Sequence, residues 1–199
     1  MNKKEIIAFF NRQASEWDAH MIKSDRKINY ILDAAGVHEN AVVLDVACGT
    51  GVLFPYYLER NAAKIVGVDF SSEMVRIAVS KCCDPRVEVI CGDIETIPVR
   101  IQCDCCVVYN AFPHFEDPVR LLERLSKWIK PKGRLTIAHG MSLEALAKHH
   151  EKRAQHVSRD MLTPQEMKKI ASPWFDIDIE ISDDEKYVVS GVRRNFDGE

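Results

Sequence analysis

Residues 43–51 read VLDVACGTG. The first half of this stretch is apolar and largely β-branched, which is typical of a strand buried on both faces. Gly49 and Gly51 follow at once, and a glycine lets the chain turn sharply into a helix and approach a ligand closely. Asp45 lies at the end of the strand, where a carboxylate can hold a cationic or hydroxyl-bearing group. The stretch predicts a strand, a glycine turn and a helix, a pattern that is equally typical of a tight turn without a ligand.

Two further carboxylates follow the next two predicted strands. Asp69 ends the strand predicted over residues 64–69, about 20 residues after the glycines, where an acid can accept hydrogen bonds from both hydroxyls of a ribose. Asp93 follows the strand predicted over residues 87–91 and can accept a hydrogen bond from an adenine amino group. Because the carboxyl ends of consecutive parallel strands meet at one edge of a sheet, the sequence predicts a nucleoside site there.

The rest of the chain alternates strand-like and helix-like patterns. Strands are also predicted over residues 41–46, 104–109 and 134–138. Helices are predicted over residues 3–20, 24–35, 52–60, 71–80, 117–129, 142–157 and 163–170. Residues 175–181 alternate apolar and acidic side chains, and residues 186–193 form a second extended run after a polar turn. The pattern predicts a single α/β domain with a mostly parallel sheet and an antiparallel hairpin at its C-terminal end.

The composition narrows the classes of function. The chain has 199 residues, of which 46% are hydrophobic and 29% charged, as is ordinary for a globular domain. The net charge of −3 argues against a nucleic-acid-binding surface, since such domains carry a basic excess. There is no run of about 18 apolar residues that would predict a membrane span, and the apolar run that ends at Phe10 is too short for a signal peptide. The seven cysteines do not suit a disulfide framework, so the sequence predicts a cytoplasmic protein with reduced thiols. The net charge and the missing apolar run predict that it has no nucleic-acid or membrane partner.

Four segments carry a resemblance to a known family. They are residues 44–51 (LDVACGTG), 66–75 (VGVDFSSEMV), 92–98 (GDIETIP) and 107–115 (VVYNAFPHF). In this order they resemble the class I S-adenosylmethionine-dependent methyltransferases of the small-molecule type. The resemblance implies a Rossmann-like seven-stranded sheet, mostly parallel with an antiparallel last strand and helices on both faces. It further implies an N-terminal helical lid (1–36), a cofactor-binding core (40–140) and a part with substrate-side helices and a C-terminal hairpin (141–199).

The resemblance also implies contacts with S-adenosylmethionine. The residues around its methionine end would be Asp45, Ala47, Gly49 and Gly51. The residues around its nucleoside would be Asp69, Phe70, Met74, Asp93 and Ile94. Asn110 and Ala111 would lie near the sulfonium and the methyl acceptor, and Trp17 would belong to the lid. Two positions depart from the family pattern, since Ala47 replaces its first glycine and Trp17 replaces a tyrosine.

Histidines dominate the half of the chain that is expected to hold the acceptor. His114 follows the fourth predicted strand and His139 ends the fifth, so both point to the edge that carries the carboxylates, on strands about 5 Å apart. Either imidazole can act as a general base near neutral pH. Alternatively, His114 shapes the loop and His139 only ends its strand.

A metal site is a weaker interpretation of the same region. His149 and His156 are seven residues apart on one predicted helix, and with His139 they could supply three nitrogen ligands. No tight ligand spacing supports this, so we favour a largely solvated basic helix face and predict no metal. The cysteines of residues 103–106 (CDCC) fall on a buried strand, where we expect reduced thiols that fill the core.

The sequence therefore predicts a methyltransferase that transfers a methyl group from S-adenosylmethionine to a small-molecule acceptor. One alternative is an NAD(P)-dependent oxidoreductase of the Rossmann type, but such enzymes have a third glycine where this chain has Phe54. Another alternative is a protein that binds S-adenosylmethionine without catalysis. The loop at residues 110–113 (NAFP) also differs from the pattern of enzymes that methylate exocyclic amino groups on bases.

Overall fold

The computed structural model describes residues 2–98 and 101–195. The strands are β1 Val42–Val46, β2 Lys64–Asp69, β3 Val87–Cys91, β4 Cys103–Tyr109, β5 Ile129–His139, β6 Phe175–Ser182 and β7 Tyr187–Arg193. They form a seven-stranded sheet in the order β3-β2-β1-β4-β5-β7-β6. Strands β1 to β5 pair in parallel, and β7 runs antiparallel to both β5 and β6. The predicted Rossmann-like sheet with an antiparallel last strand is confirmed.

Helices cover both faces of the sheet. They are α1 Lys3–Gln13, α2 Trp17–His20, α3 Asp25–Ala34, α4 Phe54–Glu59, α5 Ser72–Lys81, α6 Pro118–Ser126, α7 Leu143–Arg153 and α8 Pro164–Ala171. Apolar residues of α6 and α8 pack with one face, and those of α3, α4 and α5 pack with the other. Their starts follow the sequence signals, since Ser71, Asp117 and Thr163 cap α5, α6 and α8 with their side chains.

Alternating side chains of the central strands belong to the two apolar clusters on opposite faces of the sheet. Leu44 belongs to one apolar cluster and Val43 to the other, because successive side chains of a strand point to opposite faces. Cys106 and Cys105 divide in the same way on β4. Burial raises the pKa of the Cys105 thiol to about 12, so the group is a protonated, core-filling side chain, as the sequence predicts.

Two predicted elements differ clearly from the observed bounds. The helix predicted over residues 3–20 is interrupted by a 3-10 turn at Ala14–Glu16. Strand β5 begins at Ile129, five residues before the predicted start, because Ile129 already pairs with Cys103 ahead of a register shift. The turn-like Pro131 and Gly133 lie inside this irregular stretch and hide it from sequence reasoning.

A third difference affects the histidines. The helix predicted over residues 142–157 ends at Arg153, because Ala154 leaves the helical conformation with φ −141° and ψ 17°. His156 falls in the 3-10 turn Gln155–Val157 that follows. The prediction that His149 and His156 share one face of a helix is therefore wrong.

Candidate active site

A cavity of about 990 Å³ lies at the carboxyl ends of β1 to β5. Its roof is the N-terminal segment, which we define as residues 3–20 (α1, the 3-10 turn and α2). The predicted site residues that line it are Trp17, Ala47, Gly49, Asp69, Phe70, Met74, Asp93, Ile94, Asn110, Ala111, His114 and His139. Two other predicted site residues, Asp45 and Gly51, are not among the lining residues. The strand tips thus bring together most of the predicted site.

The two glycines of the turn have different surroundings. Gly49 has φ +55°, and a Cβ built on it meets no other atom within 4 Å, so the turn leaves open space beside the cavity. Gly51 has φ +77°, and a Cβ there would lie 2.6 Å from the Phe54 ring. Gly51 is therefore required for the packing of α4, whereas Gly49 keeps a place where a ligand can approach the backbone.

Ala47 adopts the left-handed conformation as well, with φ 55°. An alanine has a Cβ that is disfavoured in this region, so the surrounding structure must hold the turn in place. The backbone N–H of Cys48 donates to the carbonyl of Val68 on β2 over 3.1 Å, which fixes the turn against the sheet. The departure from the family glycine is thus compatible with the same backbone path.

Asp69 ties the end of β2 to the glycine turn. Its carboxylate accepts hydrogen bonds from the backbone N–H groups of Gly49 (2.9 Å) and Ser71 (2.8 Å). Burial raises the pKa of Asp69 to about 6, although these backbone bonds favour the charged form. Each carboxylate oxygen retains a lone pair, which fits the hydroxyls of a ribose.

Asp45 is a second buried carboxylate, and it is 2% exposed. Its Oδ2 atom has no hydrogen-bond partner among the described residues. Burial and the nearby Asp69 charge raise the pKa of Asp45 well above its ordinary value. Burying an acceptor without a donor costs free energy, and the described residues supply no donor for this oxygen.

The N-terminal segment is bonded to the loops that follow β1, β2 and β3. Asp18 accepts hydrogen bonds from the Thr50 hydroxyl (2.5 Å) and from Lys81 (2.6 Å). Asn11 accepts one from the Ser71 hydroxyl over 2.7 Å. Sequence analysis singled out only Trp17 in this segment, because tertiary bonds of single polar side chains leave no local pattern.

The third of these connections involves a predicted site residue. The Lys3 ammonium lies 2.7 Å from a carboxylate oxygen of Asp93 and 2.6 Å from one of Glu95. Asp93, which lies in the loop after β3, thus connects that loop to α1 through Lys3. Sequence analysis missed Lys3 and Glu95, although both line the cavity.

His114 ends the 3-10 turn Phe112–His114 after β4. Its Nδ1 lies 2.9 Å from the backbone carbonyl oxygen of Val157. Because a carbonyl only accepts hydrogen bonds, Nδ1 carries the proton and Nε2 keeps its lone pair. Burial lowers the pKa of His114 to about 4, so the ring is neutral at neutral pH.

His139 lies at the end of β5 and is 1% exposed. Burial lowers its pKa to about 3, and its Nε2 has no partner among the described residues. The ring centroid of a third imidazole, His150, lies 5.7 Å from that of His114. His150 also lines the cavity and was not predicted as a site residue.

Asn110 connects the strand tips beside these imidazoles. It has φ 54°, and its side-chain oxygen accepts from the backbone N–H of Gly140 over 3.0 Å. Its own N–H donates to the carbonyl of Ala138 over 2.8 Å. These bonds fix the distance between the ends of β4 and β5.

Across residues 2–98 and 101–195, no three His, Cys, Asp or Glu side chains are grouped so that they could hold a metal ion. Within the same ranges, no helix has the length and apolar character needed to cross a membrane.

Comparisons with known proteins agree with this geometry. A family profile described as "Methyltransferase domain" matches residues 43–133, from β1 into β5. A malonyl-[acyl-carrier protein] O-methyltransferase of Priestia megaterium is 29% identical over 139 residues, or 68% of this chain and 51% of that protein. A demethylmenaquinone methyltransferase of Renibacterium salmoninarum is 28% identical over 67% of this chain and 58% of that protein. The chain spans about half the length of the malonyl-[acyl-carrier protein] relatives.

Solved structures show the same fold at low identity. An S-adenosylmethionine-dependent methyltransferase from Aquifex aeolicus has a TM-score of 0.68 at 21% identity and covers 98% of this chain and 100% of its own. Magnesium protoporphyrin IX methyltransferase from Synechocystis PCC 6803, solved with S-adenosylhomocysteine bound, has a TM-score of 0.73 at 15% identity and covers 97% and 100%. Residues 43–133 thus match the methyltransferase-domain profile, and the fold of the chain is that of solved S-adenosylmethionine-dependent methyltransferases.

Proposed function

We propose that the protein transfers a methyl group from S-adenosylmethionine to a small molecule, with His114 as the general base. The observation that carries the proposal is the 2.9 Å contact between Nδ1 of His114 and the carbonyl oxygen of Val157, which leaves Nε2 as a proton acceptor in the cavity wall. S-adenosylmethionine supplies an electrophilic methyl group on a sulfonium. The residues of the chain therefore have to place the acceptor, exclude water and take up its proton.

The cofactor roles follow the edge of the sheet. The nucleoside is assigned to Asp69, Phe70, Met74, Asp93 and Ile94. The methionine end is assigned to Asp45, Ala47, Gly49 and Gly51. Asn110, Ala111 and Trp17 are assigned to the space between the cofactor and the acceptor. Support comes from the accepting lone pairs of Asp69 and the open space at Gly49.

The acceptor is assigned to the side of the cavity that His114 and His139 line. His114 takes the proton of the acceptor at Nε2 while its Nδ1–H stays bonded to Val157. His139 offers a second neutral ring, which holds the acceptor or shares the work of the base. A volume of about 990 Å³ suits a cofactor and one small molecule together, so a macromolecular acceptor is not required.

The oxidoreductase alternative is not supported. The Phe54 ring fills the space beside Gly51 in which a dinucleotide-binding turn has its third glycine. The matched profile and relatives are those of methyltransferases.

The proposal is tested by calorimetry and by product detection. We expect S-adenosylhomocysteine to bind and NAD to show no binding at the same concentration. A screen of small hydroxyl, amino and thiol compounds with methyl-labelled S-adenosylmethionine should then yield a labelled product that His114→Gln forms far more slowly. Binding of S-adenosylhomocysteine without any labelled product would favour a protein that binds the cofactor without catalysis.

A further inference from the structure

The acceptor end of the cavity carries neutral polar groups. We define it by six of the lining residues beside the tips of β4 and β5 and on α7, namely His114, Phe115, His139, Met141, Leu146 and His150. Burial lowers the pKa of His114 to about 4 and that of His139 to about 3, and it also lowers the pKa of His150. At neutral pH these rings can accept or donate hydrogen bonds but supply no positive charge.

The lysines of the cavity are already paired. Among the described side chains that line it, the cations are Lys3, bonded to Asp93 and Glu95, and Lys148, which lies 2.5 Å from Glu144. The lining carboxylates are Asp69, Asp93, Glu95 and Glu116. Burying a carboxylate or phosphate of the acceptor here would be costly, because each of the two lysines that line the cavity already has a carboxylate partner. The charges therefore favour an uncharged acceptor.

The mouth of the cavity at this end is apolar, and we define it by Met21, Ile22 and Met141. Ile22 lines the cavity and is 88% exposed, the highest exposure among the large hydrophobic residues of the described chain. The segment that carries it starts near β1, where Asp18 bonds Thr50, and reaches the end of β5, where Lys27 donates to the Gly140 carbonyl over 3.3 Å. Since β4 lies between β1 and β5, the segment crosses the tip of β4. Met21 and Met141 also line the cavity.

We propose that the methyl acceptor is an uncharged hydroxyl compound with an apolar chain that leaves the cavity past Ile22. The hydroxyl donates its hydrogen bond to Nε2 of His114, and the chain covers Met21, Ile22 and Met141. This inference rests on the proposed function, because it assigns the acceptor of the same site. It explains why a large apolar side chain stands exposed at the mouth of a cavity that is lined by neutral rings.

The test measures binding rather than turnover. The protein is first saturated with S-adenosylhomocysteine, and the dissociation constant of that complex is recorded. Calorimetry then compares phenol, para-hexylphenol and the analogue of para-hexylphenol whose chain ends in a carboxylate. We expect para-hexylphenol to bind at least about tenfold more tightly than either, because burial of two to three methylene groups suffices for that difference.

A matched pair of variants locates the chain. Ile22→Lys should weaken para-hexylphenol and tighten the carboxylate analogue, since it exchanges an apolar contact for a cation. Val119→Lys places the same charge on an apolar residue of α6 that is 45% exposed and outside the described lining, and it should change neither affinity.

Three results would overturn the inference: equal binding of the two long-chain compounds, no advantage of para-hexylphenol over phenol, or equal effects of the two lysine variants. Failure of S-adenosylhomocysteine to bind in the first step would instead contradict the proposed function. The two failures are therefore distinguishable.

Discussion

Nδ1 of His114 lies 2.9 Å from the carbonyl oxygen of Val157, which joins the turn after β4 to the turn after α7. The contact sets the tautomer of the ring and its orientation together. Because the partner is a neutral carbonyl and not a carboxylate, the protonated ring gains little stabilisation, and burial keeps the pKa of His114 at about 4. The neutral form of the ring is therefore present throughout the physiological pH range.

His114→Gln should lower kcat by about 10²- to 10⁴-fold, since the amide keeps hydrogen-bonding capacity but cannot take up a proton. The dissociation constant of S-adenosylhomocysteine should stay within about twofold of wild type, because the base contacts the acceptor side. Steady-state kinetics and calorimetry measure the two quantities. His38→Gln, at an exposed position, serves as the control. A wild-type kcat in His114→Gln would remove His114 from the catalytic step.

Asp69→Asn should abolish the pH dependence of cofactor binding between pH 7 and 5. The pKa of Asp69 is raised to about 6 in the protein, so the carboxylate that would accept ribose hydroxyls is lost as the pH falls through that value. Wild-type affinity for S-adenosylhomocysteine should drop by up to about tenfold per pH unit below 6. Asp69→Asn should bind weakly at both pH values. Parallel pH profiles for the two proteins, measured by calorimetry, would contradict this role.

Gly49→Ala and Gly51→Ala should separate binding from stability. Gly51→Ala should lower the free energy of unfolding by about 2–4 kcal/mol, because its Cβ strains the left-handed turn and overlaps the Phe54 ring. Gly49→Ala should cost only about 1 kcal/mol, because its Cβ meets open space. Yet Gly49→Ala should bind S-adenosylhomocysteine more weakly, since its methyl group occupies that space. Denaturant titration and calorimetry measure both effects, and equal stabilities would be inconsistent with the packing described.

Asn11→Ala should loosen the N-terminal segment, because it removes the acceptor for the Ser71 hydroxyl and for the backbone N–H of Glu73. We expect faster chymotrypsin cleavage near Phe9 and Phe10, and affinity for S-adenosylhomocysteine reduced by about tenfold. The neighbouring Arg12→Ala, at an exposed position, should behave as wild type. If both variants were cleaved at the wild-type rate, the segment would not act as a lid held by Asn11.

His139→Leu should reduce the decrease in the free energy of unfolding that occurs as the pH falls. Since the pKa of His139 is lowered to about 3 in the folded protein, the unfolded chain binds more protons below the ordinary histidine value. This group therefore removes stability as the pH falls from about 6.5, by up to about 1.4 kcal/mol per pH unit. Denaturant titrations at pH 7 and 5 should show a smaller decrease for His139→Leu than for wild type. An unchanged decrease would mean that His139 is charged in the folded state.

The strand tips could be predicted from sequence because they depend on local patterns. A buried strand that is followed by Asp69 or by the glycine turn predicts, within about ten residues, both the strand and a ligand-binding group at its end. The same patterns could not reveal that Gly51 leaves room for the Phe54 ring whereas Gly49 faces open space. This difference depends on how α4 packs against the turn. Bounds also failed where irregular backbone hid an element, as at the start of β5.

The long-range part of the site was beyond sequence reasoning for a different reason. Lys3 and Asp93 are 90 residues apart, and only the docking of α1 brings them together. The tautomer of His114 depends on the carbonyl of Val157, which any residue type could supply. A side chain can be proposed as a base from its type and position, but the atom that is free to react is set by the tertiary structure.

The bonds from Lys3, Asn11 and Asp18 end on the three loops assigned to the cofactor, whereas Ile22 stands open at the mouth. We therefore expect compulsory-order kinetics, in which S-adenosylmethionine binds first and the acceptor binds and dissociates while the cofactor stays bound. Departure of the spent nucleoside compound must wait until the roof detaches. The methylated product needs no such event, so the residence time of S-adenosylhomocysteine would set the pace of the catalytic cycle.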